Sequence, residues 1–306
     1  MELQKIKVGI VGLGDIAKKA YLPVITSRSN IEIHICSKDE IKLSELAIKY
    51  RIPHTHSNLD TLISTRPDCI FVHAATDAHY NIVKQILLAD IHVFVDKPIS
   101  MHYAQSAELV VLAEARKLIF MVGFNRRYAP SYARFKEESA PSMIIMQKNR
   151  KTLADELRRF VVEDFIHVVD TLRNLFPYPI DQLLVNGMKK DTMLHHLSIQ
   201  FIAPEGQTAI GIMNRDSGAT EEKLEFMNHE GNSIVYNVND VEVKKNKDTL
   251  KIGDNDWQST LYKRGFDLMI DDFLNAVRTN GKTKVDARDA LKTHEVCERI
   301  VEMLLK

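Results

Sequence analysis

The stretch Val8-Gly9-Ile10-Val11-Gly12-Leu13-Gly14-Asp15-Ile16-Ala17 sets the fold of this chain, because it joins a short apolar run to a glycine turn and a helical pattern. Gly12 permits a tight turn, Gly14 lets a phosphate approach the backbone, and the small residue at position 17 allows close packing of helix on sheet. The unpaired N–H groups at the start of a helix attract phosphate. The stretch therefore predicts a dinucleotide-binding turn at Gly12 and Gly14, with Asp15 and Ile16 opening the helix.

Alternating apolar and helical segments continue from this turn as far as Gly123. Short runs rich in Val, Ile and Phe alternate with stretches of helical period, which is typical of βαβ units around a parallel sheet covered on both faces. The predicted strands are Ile6–Val11, Ile31–Cys36, Cys69–His73, His92–Val95 and Ile119–Val122. The predicted helices are Ile16–Ser27, Glu40–Tyr50, Leu59–Ser64, Tyr80–Leu88 and Tyr103–Ala115. We therefore predict an α/β fold whose residues 1–123 form a doubly wound parallel sheet of the Rossmann type.

The pattern changes after about Pro130. One long amphipathic helix is predicted at Arg158–Leu175, and segments of period two then indicate antiparallel strands, with a turn at Glu230-Gly231-Asn232. Two helical patterns, Phe266–Val277 and Ala287–Leu305, close the chain. We predict that residues 124–306 form an α+β domain with a large, mostly antiparallel sheet, whose last helices pack back on the first domain.

The composition is that of an ordinary globular protein. The 306 residues are 45% hydrophobic and 27% charged, and 41 basic residues balance 41 acidic ones. This balance gives no indication of a nucleic-acid or membrane partner. Cys36, Cys69 and Cys297 are widely spaced in apolar stretches and are expected to be reduced thiols. No apolar run approaches the roughly 18 residues of a spanning helix, so we expect a cytoplasmic protein.

The end of the second strand bears on the choice between NAD and NADP. A carboxylate at this point would accept hydrogen bonds from the ribose 2′-OH. The chain instead has Ser37 and Lys38, a hydroxyl and an ammonium that suit a 2′-phosphate. This favours NADP. The alternative is that Lys38 is solvated and Asp39 reaches the ribose, which would favour NAD.

A charged pair followed by proline, Asp96-Lys97-Pro98, ends the predicted strand at His92–Val95. In an open α/β sheet the carboxyl ends of the strands face the ligand crevice. Lys97 would then project toward the nicotinamide and could hold a substrate oxygen. The alternative interpretation is an ordinary loop lysine.

Polar residues interrupt the apolar helix predicted in the second domain. Glu163, Asp164, His167 and Asp170 are three or four residues apart, so α-helical spacing allows them to share one face. Such groups need a reason to be buried. The alternatives are a hydrogen-bonded core histidine and a metal site, but the metal site lacks a third strong ligand.

The other histidines do not change this interpretation. His54-Thr55-His56 falls in a polar loop and His195-His196 in a strand, and neither pair has the spacing of metal ligands. We therefore predict no metal site.

These motifs occur together in one order along nearly the whole chain. They are the glycine turn, Ala75-Thr76-Asp77-Ala78-His79, Asp96-Lys97-Pro98, Gly123-Phe124-Asn125-Arg126-Arg127-Tyr128-Ala129-Pro130 and Glu163-x-x-x-His167-x-x-Asp170. In this the chain resembles the Gfo/Idh/MocA family of NAD(P)-dependent sugar and cyclitol oxidoreductases, and within it the bacterial MviM-like branch. It departs from the family pattern in having Asp96 for glutamate, Asp77 for proline and Glu163 for aspartate.

The resemblance implies hydride transfer between a nicotinamide and a sugar, cyclitol or related alcohol or carbonyl compound. In the oxidation direction His167 would take the hydroxyl proton, Lys97 would hold the oxygen, and Glu163 or Asp164 would orient the imidazole. The cofactor contacts would include Ala75, Thr76, His79, Asp96 and Lys97, and the substrate contacts Arg126, Arg127 and Asp170. The family also implies a homodimer through the C-terminal sheet. The alternative function is a non-catalytic dinucleotide-binding sensor or regulatory protein on the same fold.

Overall fold

The computed structural model describes residues 5–253 and 256–306. The chain divides into two compact units, which we call unit 1 and unit 2. Unit 1 contains the described residues up to 123 together with 266–292, and unit 2 contains those of 124–265 together with 293–306. Among the described residues, no helix has the length and apolar character needed to cross a bilayer.

Unit 1 is built on a six-stranded parallel sheet. Its strands are β1 Ile6–Val11, β2 Ile31–Cys36, β3 His54–His56, β4 Cys69–Val72, β5 His92–Val95 and β6 Phe120–Val122. They lie in the order β3-β2-β1-β4-β5-β6. The chain therefore starts in the middle, winds to one edge and then to the other, which leaves a crevice at the carboxyl ends of β1 and β4. The predicted Rossmann sheet is confirmed, although β3 was expected to be a loop.

Helices lie between successive strands of unit 1. They are α1 Leu22–Ile25, α2 Glu40–Tyr50, α3 Leu59–Ser64, α4 Thr76–Leu88 and α5 Tyr103–Ala115, and Ala17–Tyr21 before α1 is a π-helical turn. Asp39 caps α2 and Asn58 caps α3, each accepting a backbone N–H three residues on. Helix α4 begins four residues before the predicted Tyr80.

Aromatic rings fill the space beside β4 and β5. Phe71 and Phe94 lie with ring centroids 4.9 Å apart, and both contact Phe273 from the helix Phe266–Thr279. Tyr21 stacks on His73 at 3.7 Å and is fully buried. Burial lowers the pKa of His73 to about 3, so this ring is a neutral part of the core.

Unit 2 is built on a nine-stranded sheet. Its strands are β7 Met143–Asn149, β8 Asp155–Glu156, β9 Gln182–Lys190, β10 Met193–Ile202, β11 Thr208–Asn214, β12 Glu221–Asn228, β13 Gly231–Tyr236, β14 Asp240–Lys245 and β15 Asp248–Ile252. The order is β15-β14-β13-β12-β7-β11-β10-β8, and β9 also pairs with β10. Only β7 and β11 pair in parallel among these described strands. The prediction of a large, mostly antiparallel sheet is confirmed.

The remaining helices are α6 Pro130–Ala133, α7 Leu157–Arg159, α8 Ile166–Leu175, α9 Thr260–Lys263, α10 Phe266–Thr279 and α11 Ala287–Leu305. Of these, α10 belongs to unit 1.

The helix predicted at Arg158–Leu175 is not one continuous α-helix. A π-helical turn, Phe160–Phe165, separates α7 from α8. Helix α8 lies so close to the sheet that a Cβ on Gly211 would be 2.8 Å from Val168 Cγ1.

We expect Gly12→Ala to destabilise unit 1, because Gly12 has a φ of +87° and an added Cβ would lie 2.4 Å from the Ala74 nitrogen. The left-handed backbone alone costs about 1–3 kcal/mol for a non-glycine residue. Thermal unfolding followed by circular dichroism measures the effect. Gly14→Ala is the matched control, since nothing lies within 4 Å of its added Cβ. Equal unfolding temperatures for the two variants would contradict this account.

Candidate functional site

A cavity of about 570 Å³ lies in unit 1 at the carboxyl ends of β1, β2 and β4. Parallel strands end at one edge of the sheet, and the loops that follow them therefore meet there. Gly12, Ser37, Lys38 and Ala74 line the cavity. The structure thus brings together the glycine turn and the residues predicted to contact the ribose. Asn58 and Asn81 also line it and carried no recognisable sequence signal.

The carboxylate of Asp39 is engaged at the start of α2. It accepts a hydrogen bond from the Lys42 backbone at 3.0 Å and pairs with the Lys42 ammonium at 3.0 Å. These contacts, the backbone N–H first, lower the pKa of Asp39. Ser37 Oγ accepts the Asp39 N–H at 3.1 Å. Asp39 therefore acts as a helix cap, and the charged residues that line the cavity are Lys38 and Asp60.

The first turn of the helix after Gly12 is exposed. Gly14 has open space around it, and its carbonyl accepts the Lys18 N–H at 3.2 Å. Asp15 forms an exposed ion pair with Lys19 at 2.8 Å, and Ile16 is also exposed. A group arriving at this turn therefore meets backbone N–H groups and little side-chain bulk.

The loops after β4 and β5 are tied together by His79. Its ring nitrogens lie 2.8 Å from the Pro98 carbonyl oxygen and 3.0 Å from that of Ala74, and the side chain is buried. The neighbouring residues Ala75 and Thr76 form the cap and first residue of α4. The predicted cofactor contact His79 thus fixes the backbone that leads to Lys97.

Asp96 and Lys97 follow β5 directly and are both half-buried. The Tyr21 hydroxyl donates to Asp96 Oδ1 at 2.8 Å. Burial, and then the nearby Asp96, raise the pKa of Tyr21, so the phenol keeps its proton. This hydrogen bond holds the chain at the end of β5 in place.

The sheet of unit 2 carries charged residues on its buried face. In β7 Lys148 continues the alternation of buried Ile144 and Met146, and in β12 Glu222 lies in line with buried Leu224. Lys148 and Glu222 are paired across the two strands. Because alternate residues of a strand share a face, the alternation with apolar residues predicts that Lys148 and Glu222 lie on the buried face of the sheet. The sequence analysis did not use that signal.

Arg126 joins Glu222 to the predicted catalytic histidine. Its guanidinium donates to both Glu222 oxygens, at 2.7 and 2.6 Å, and its third nitrogen lies 2.8 Å from His167 Nδ1. Tyr132 adds a hydrogen bond to Glu222 at 3.1 Å. An arginine has only donors, so His167 Nδ1 must accept. The proton of the neutral imidazole is therefore on Nε2.

The two buried charges support one another. Burial alone would raise the pKa of Glu222, but Arg126 outweighs burial and lowers it to about 2. Burial alone would lower the pKa of Arg126, and Glu222 raises it instead. Both groups are therefore charged at neutral pH, and the hydrogen bond to His167 comes from a cation.

Asp164 turns toward the sheet rather than toward the loop that carries Arg126. It pairs with Lys148, with Arg150 at 3.3 Å and with Arg215 at 2.9 Å. Burial alone would raise its pKa, but Lys148 and then Arg150 hold it well below the usual value. Arg215, like Lys148 and Glu222, is a buried charged residue that the sequence analysis missed.

The predicted sharing of one helix face is altered by the π-helical turn, which contains both Glu163 and Asp164. A π turn adds about one residue to the repeat and rotates the side chains that precede α8. Glu163 lies 3.5 Å from Arg159 on the preceding turn. The cation at His167 Nδ1 is Arg126. Whether either acid orients the imidazole stays a prediction.

Arg127 and Asp170, both predicted to contact substrate, bind each other. Arg127 donates to both Asp170 oxygens, at 2.9 and 2.6 Å, and the pair is almost fully buried. Thr293 in α11 adds a hydrogen bond at 2.9 Å. Removing one partner of such a buried pair costs about 3–5 kcal/mol. The pair thus fixes the loop after β6 against α8.

One group of possible metal ligands arises from strand pairing. Glu32, His34 and His54 place ligand atoms within 4.8 Å of one another. The sequence separates these residues, but β2 and β3 pair in parallel with His34 beside His54. The prediction of no metal site was based on the spacing of histidines along the sequence. That spacing does not reveal ligands that strand pairing brings together.

We expect the free energy of unfolding to fall as the pH is lowered from about 5 to about 2, partly because of Glu222. Its pKa is about 2 in the folded protein and about 4.3 in an unfolded chain. A depressed folded pKa gives stability that is present above the unfolded pKa and lost on acidification through the folded value. Urea unfolding at several pH values measures this loss.

Glu222→Gln should lose less stability than the parent protein over the same pH range. Glu205→Gln, in the exposed turn after β10, is the control and should follow the parent. Parallel curves for the parent and Glu222→Gln would show that the Arg126 pair contributes nothing to acid sensitivity.

Comparison with known proteins agrees with the two units. A model described as "Oxidoreductase family, NAD-binding Rossmann fold" matches residues 6–124, and one described as "YceM-like, C-terminal domain" matches residues 130–246. "Putative oxidoreductase YceM" of Salmonella typhimurium is 29% identical, covering 99% of this chain and 98% of that protein. "Inositol 2-dehydrogenase/D-chiro-inositol 3-dehydrogenase" of Lactiplantibacillus plantarum is 23% identical, covering 90% and 83%. The crystal structure of a dehydrogenase (MviM) from Clostridium difficile is similar, with a TM-score of 0.93 and 28% identity over 98% of this chain and 100% of that one.

Proposed function

The chain belongs to the Gfo/Idh/MocA family of oxidoreductases, which has an NAD-binding Rossmann fold, and from this we propose that it transfers a hydride between a nicotinamide dinucleotide and a sugar, cyclitol or related hydroxylated substrate. The observation that carries the proposal is the hydrogen bond from Arg126 to His167 Nδ1. It holds a catalytic-type imidazole in one orientation and one tautomer. The inositol dehydrogenase among the relatives supports the substrate class.

The residues of unit 1 fit a nicotinamide dinucleotide. Gly14 has open space around it through which a phosphate can approach the backbone, and the cavity of about 570 Å³ beside Gly12 reaches Ser37 and Lys38. Ser37 and Lys38 would hold a 2′-phosphate, since the Asp39 carboxylate is occupied at the cap of α2. We therefore propose NADP as the preferred cofactor. When bound, it supplies a ring carbon that gives or accepts the hydride.

In this proposal His167 and Lys97 have different roles at the substrate oxygen. With Nδ1 accepting from Arg126, the His167 ring presents its proton on Nε2 and donates a hydrogen bond to that oxygen. Accepting a proton at Nδ1 would require the bond from Arg126 to break. Lys97 therefore takes or delivers the proton, while His167 stabilises charge that develops on the oxygen. This differs from the role of base that the sequence resemblance implies for His167.

We expect His167→Ala to lower kcat by about 10²–10³, because one preorganised donor to a developing oxyanion is worth that much. Lys97→Met should lower kcat by about 10²–10⁴ through loss of the proton carrier. Dinucleotide affinity measured by fluorescence should stay within about twofold for His167→Ala. His167→Gln keeps a donor and should lose less activity than the alanine variant.

The same measurements separate the two candidate functions. Turnover of sugars or inositols that survives both substitutions would contradict the assigned roles. Tight dinucleotide binding without turnover of any sugar, inositol or sugar derivative would favour the alternative, a regulatory protein that senses the dinucleotide.

Cofactor preference is tested at Lys38. We expect Lys38→Ala to raise the KM for NADP by about 10- to 100-fold, since a hydrogen bond to a charged group contributes about 1.5–3 kcal/mol. The KM for NAD should change little. Lys42→Ala removes the next lysine along, whose ammonium pairs with Asp39, and is the matched control. An unchanged KM for NADP in Lys38→Ala would favour NAD.

We also propose that the protein is a cytoplasmic homodimer that pairs through the sheet of unit 2. Leu184 and Met188 of β9 are exposed on that sheet. Apolar side chains grouped on an open sheet face are typical of an interface. Light scattering of the purified protein measures the oligomeric state.

A further inference from the structure

A small cavity of about 190 Å³ lies in unit 2 beside β7, β12 and the turn that follows β13. Four cationic side chains and two carboxylates line it: Arg126, Lys148, Arg150, Arg264, Glu221 and Glu222. Such a lining is unusual for a cavity in a sheet protein, because charged groups are seldom buried without full pairing. The pairing of each cation therefore indicates what the cavity can bind.

The acids around the cavity are already engaged by other side chains. Glu221 accepts a hydrogen bond from Asn149 at 2.9 Å, and Asp155 pairs with Arg215 at 2.9 Å. Glu222 forms an ion pair with Arg126. Asp164, which does not line the cavity, forms ion pairs with Lys148, Arg150 and Arg215. Arg150 has the longest of these contacts, 3.3 Å, and its side chain is about one third exposed (35%). Arg150 can therefore turn to another anion without leaving a buried carboxylate unpaired.

Arg264 adds a further positive charge at the rim. It is exposed, and within residues 5–253 and 256–306 no carboxylate pairs with its guanidinium. Its backbone is held in place, because Asn125 donates to the Arg264 carbonyl at 2.8 Å and a Cβ on Gly265 would lie 2.2 Å from the Asn125 oxygen. Arg264 is thus fixed beside the turn that carries Arg126.

The opposite wall is rigid. Val238 is buried and has a φ of +69°, which costs a β-branched residue about 1–3 kcal/mol. Ser131 donates to the Val238 carbonyl at 2.6 Å, and Asn237 accepts the Glu222 N–H at 3.3 Å. Strained backbone that is held this firmly is typical of ligand sites.

We propose that this cavity is an anion subsite, and that the substrate of the proposed reaction carries a carboxylate or phosphate group that binds to Arg150 and Arg264. The substrate role rests on the proposed function. Arg126 both lines the cavity and donates to His167, so one side chain connects an anion bound here to the imidazole. The volume of about 190 Å³ is below the roughly 300–1,000 Å³ of pockets for drug-sized ligands, so the cavity holds the charged group and not the whole substrate.

Calorimetry on the full-length protein tests the subsite with matched pairs of probes. The pairs are glucuronate and glucose, galacturonate and galactose, and gluconate and glucitol, with glucose 6-phosphate and inorganic phosphate as phosphate probes. At least one anion should bind about tenfold or more tighter than its neutral counterpart. The affinity should fall as salt is raised. The series of probes, carboxylates or phosphates, that binds with the higher affinity identifies the class of anion.

Arg264→Gln should weaken that binding by about tenfold or more, because it removes a charged donor. It should raise the KM of a turned-over acid far more than it lowers kcat. Arg150→Gln is a second variant with the same expected effect. Arg299→Gln removes an exposed cation of unit 2 that does not line the cavity, and should leave binding unchanged.

The outcomes separate the subsite from the proposed function. Anion binding that Arg264→Gln weakens, without turnover of any probe, supports the subsite and contradicts the proposed function. Turnover of neutral sugars with no preference for their acids supports the proposed function and overturns the subsite. Absence of binding by every anion, or equal binding by the parent and Arg264→Gln, also overturns it.

Discussion

The guanidinium of Arg126 is buried and divided between an acid and an imidazole, and the candidate site depends on that division. Two of its nitrogens are held by Glu222, and a third reaches His167 Nδ1. Without Glu222 the cation would be buried and unpaired, which is strongly unfavourable. Without Arg126 the hydrogen bond that keeps the proton off Nδ1 of His167 would be lost. One side chain thus connects the stability of unit 2 to the tautomer of its catalytic candidate.

Other buried charged residues of the sheet are also paired with one another. Lys148 and Glu222 lie opposite each other on paired strands, and Asp164 meets Lys148 from the π-helical turn. Buried ion pairs give little net stability, but they are costly to leave half-made, so they favour one arrangement over all others. This explains how a site can be preorganised on a sheet whose buried residues are mostly apolar. Arg150 and Arg264 are not needed to hold this arrangement and can bind an anionic ligand.

Local patterns were enough for most of unit 1 and for part of unit 2. The parallel strands around Gly12 and the helices between them follow from apolar periodicity and turn sterics, both of which act over a few residues. The strand β3 was missed because His54–His56 is short and polar, and is a strand only through pairing with β2. The buried positions of Lys148 and Glu222 could have been predicted from their alternation with apolar neighbours.

The doubly wound sheet, the glycine turn and the position of His167 on a helix of the second domain could be predicted, because each depends on residues close together in the chain. Folding alone brings Arg126, 41 residues away, to His167 Nδ1. It likewise determines that Asp164 faces the sheet and that Arg127 and Asp170 bind each other. Periodicity tells which face is buried. Which polar atoms meet there depends on strand register and on one π-helical turn, and neither leaves a periodic signal in the sequence.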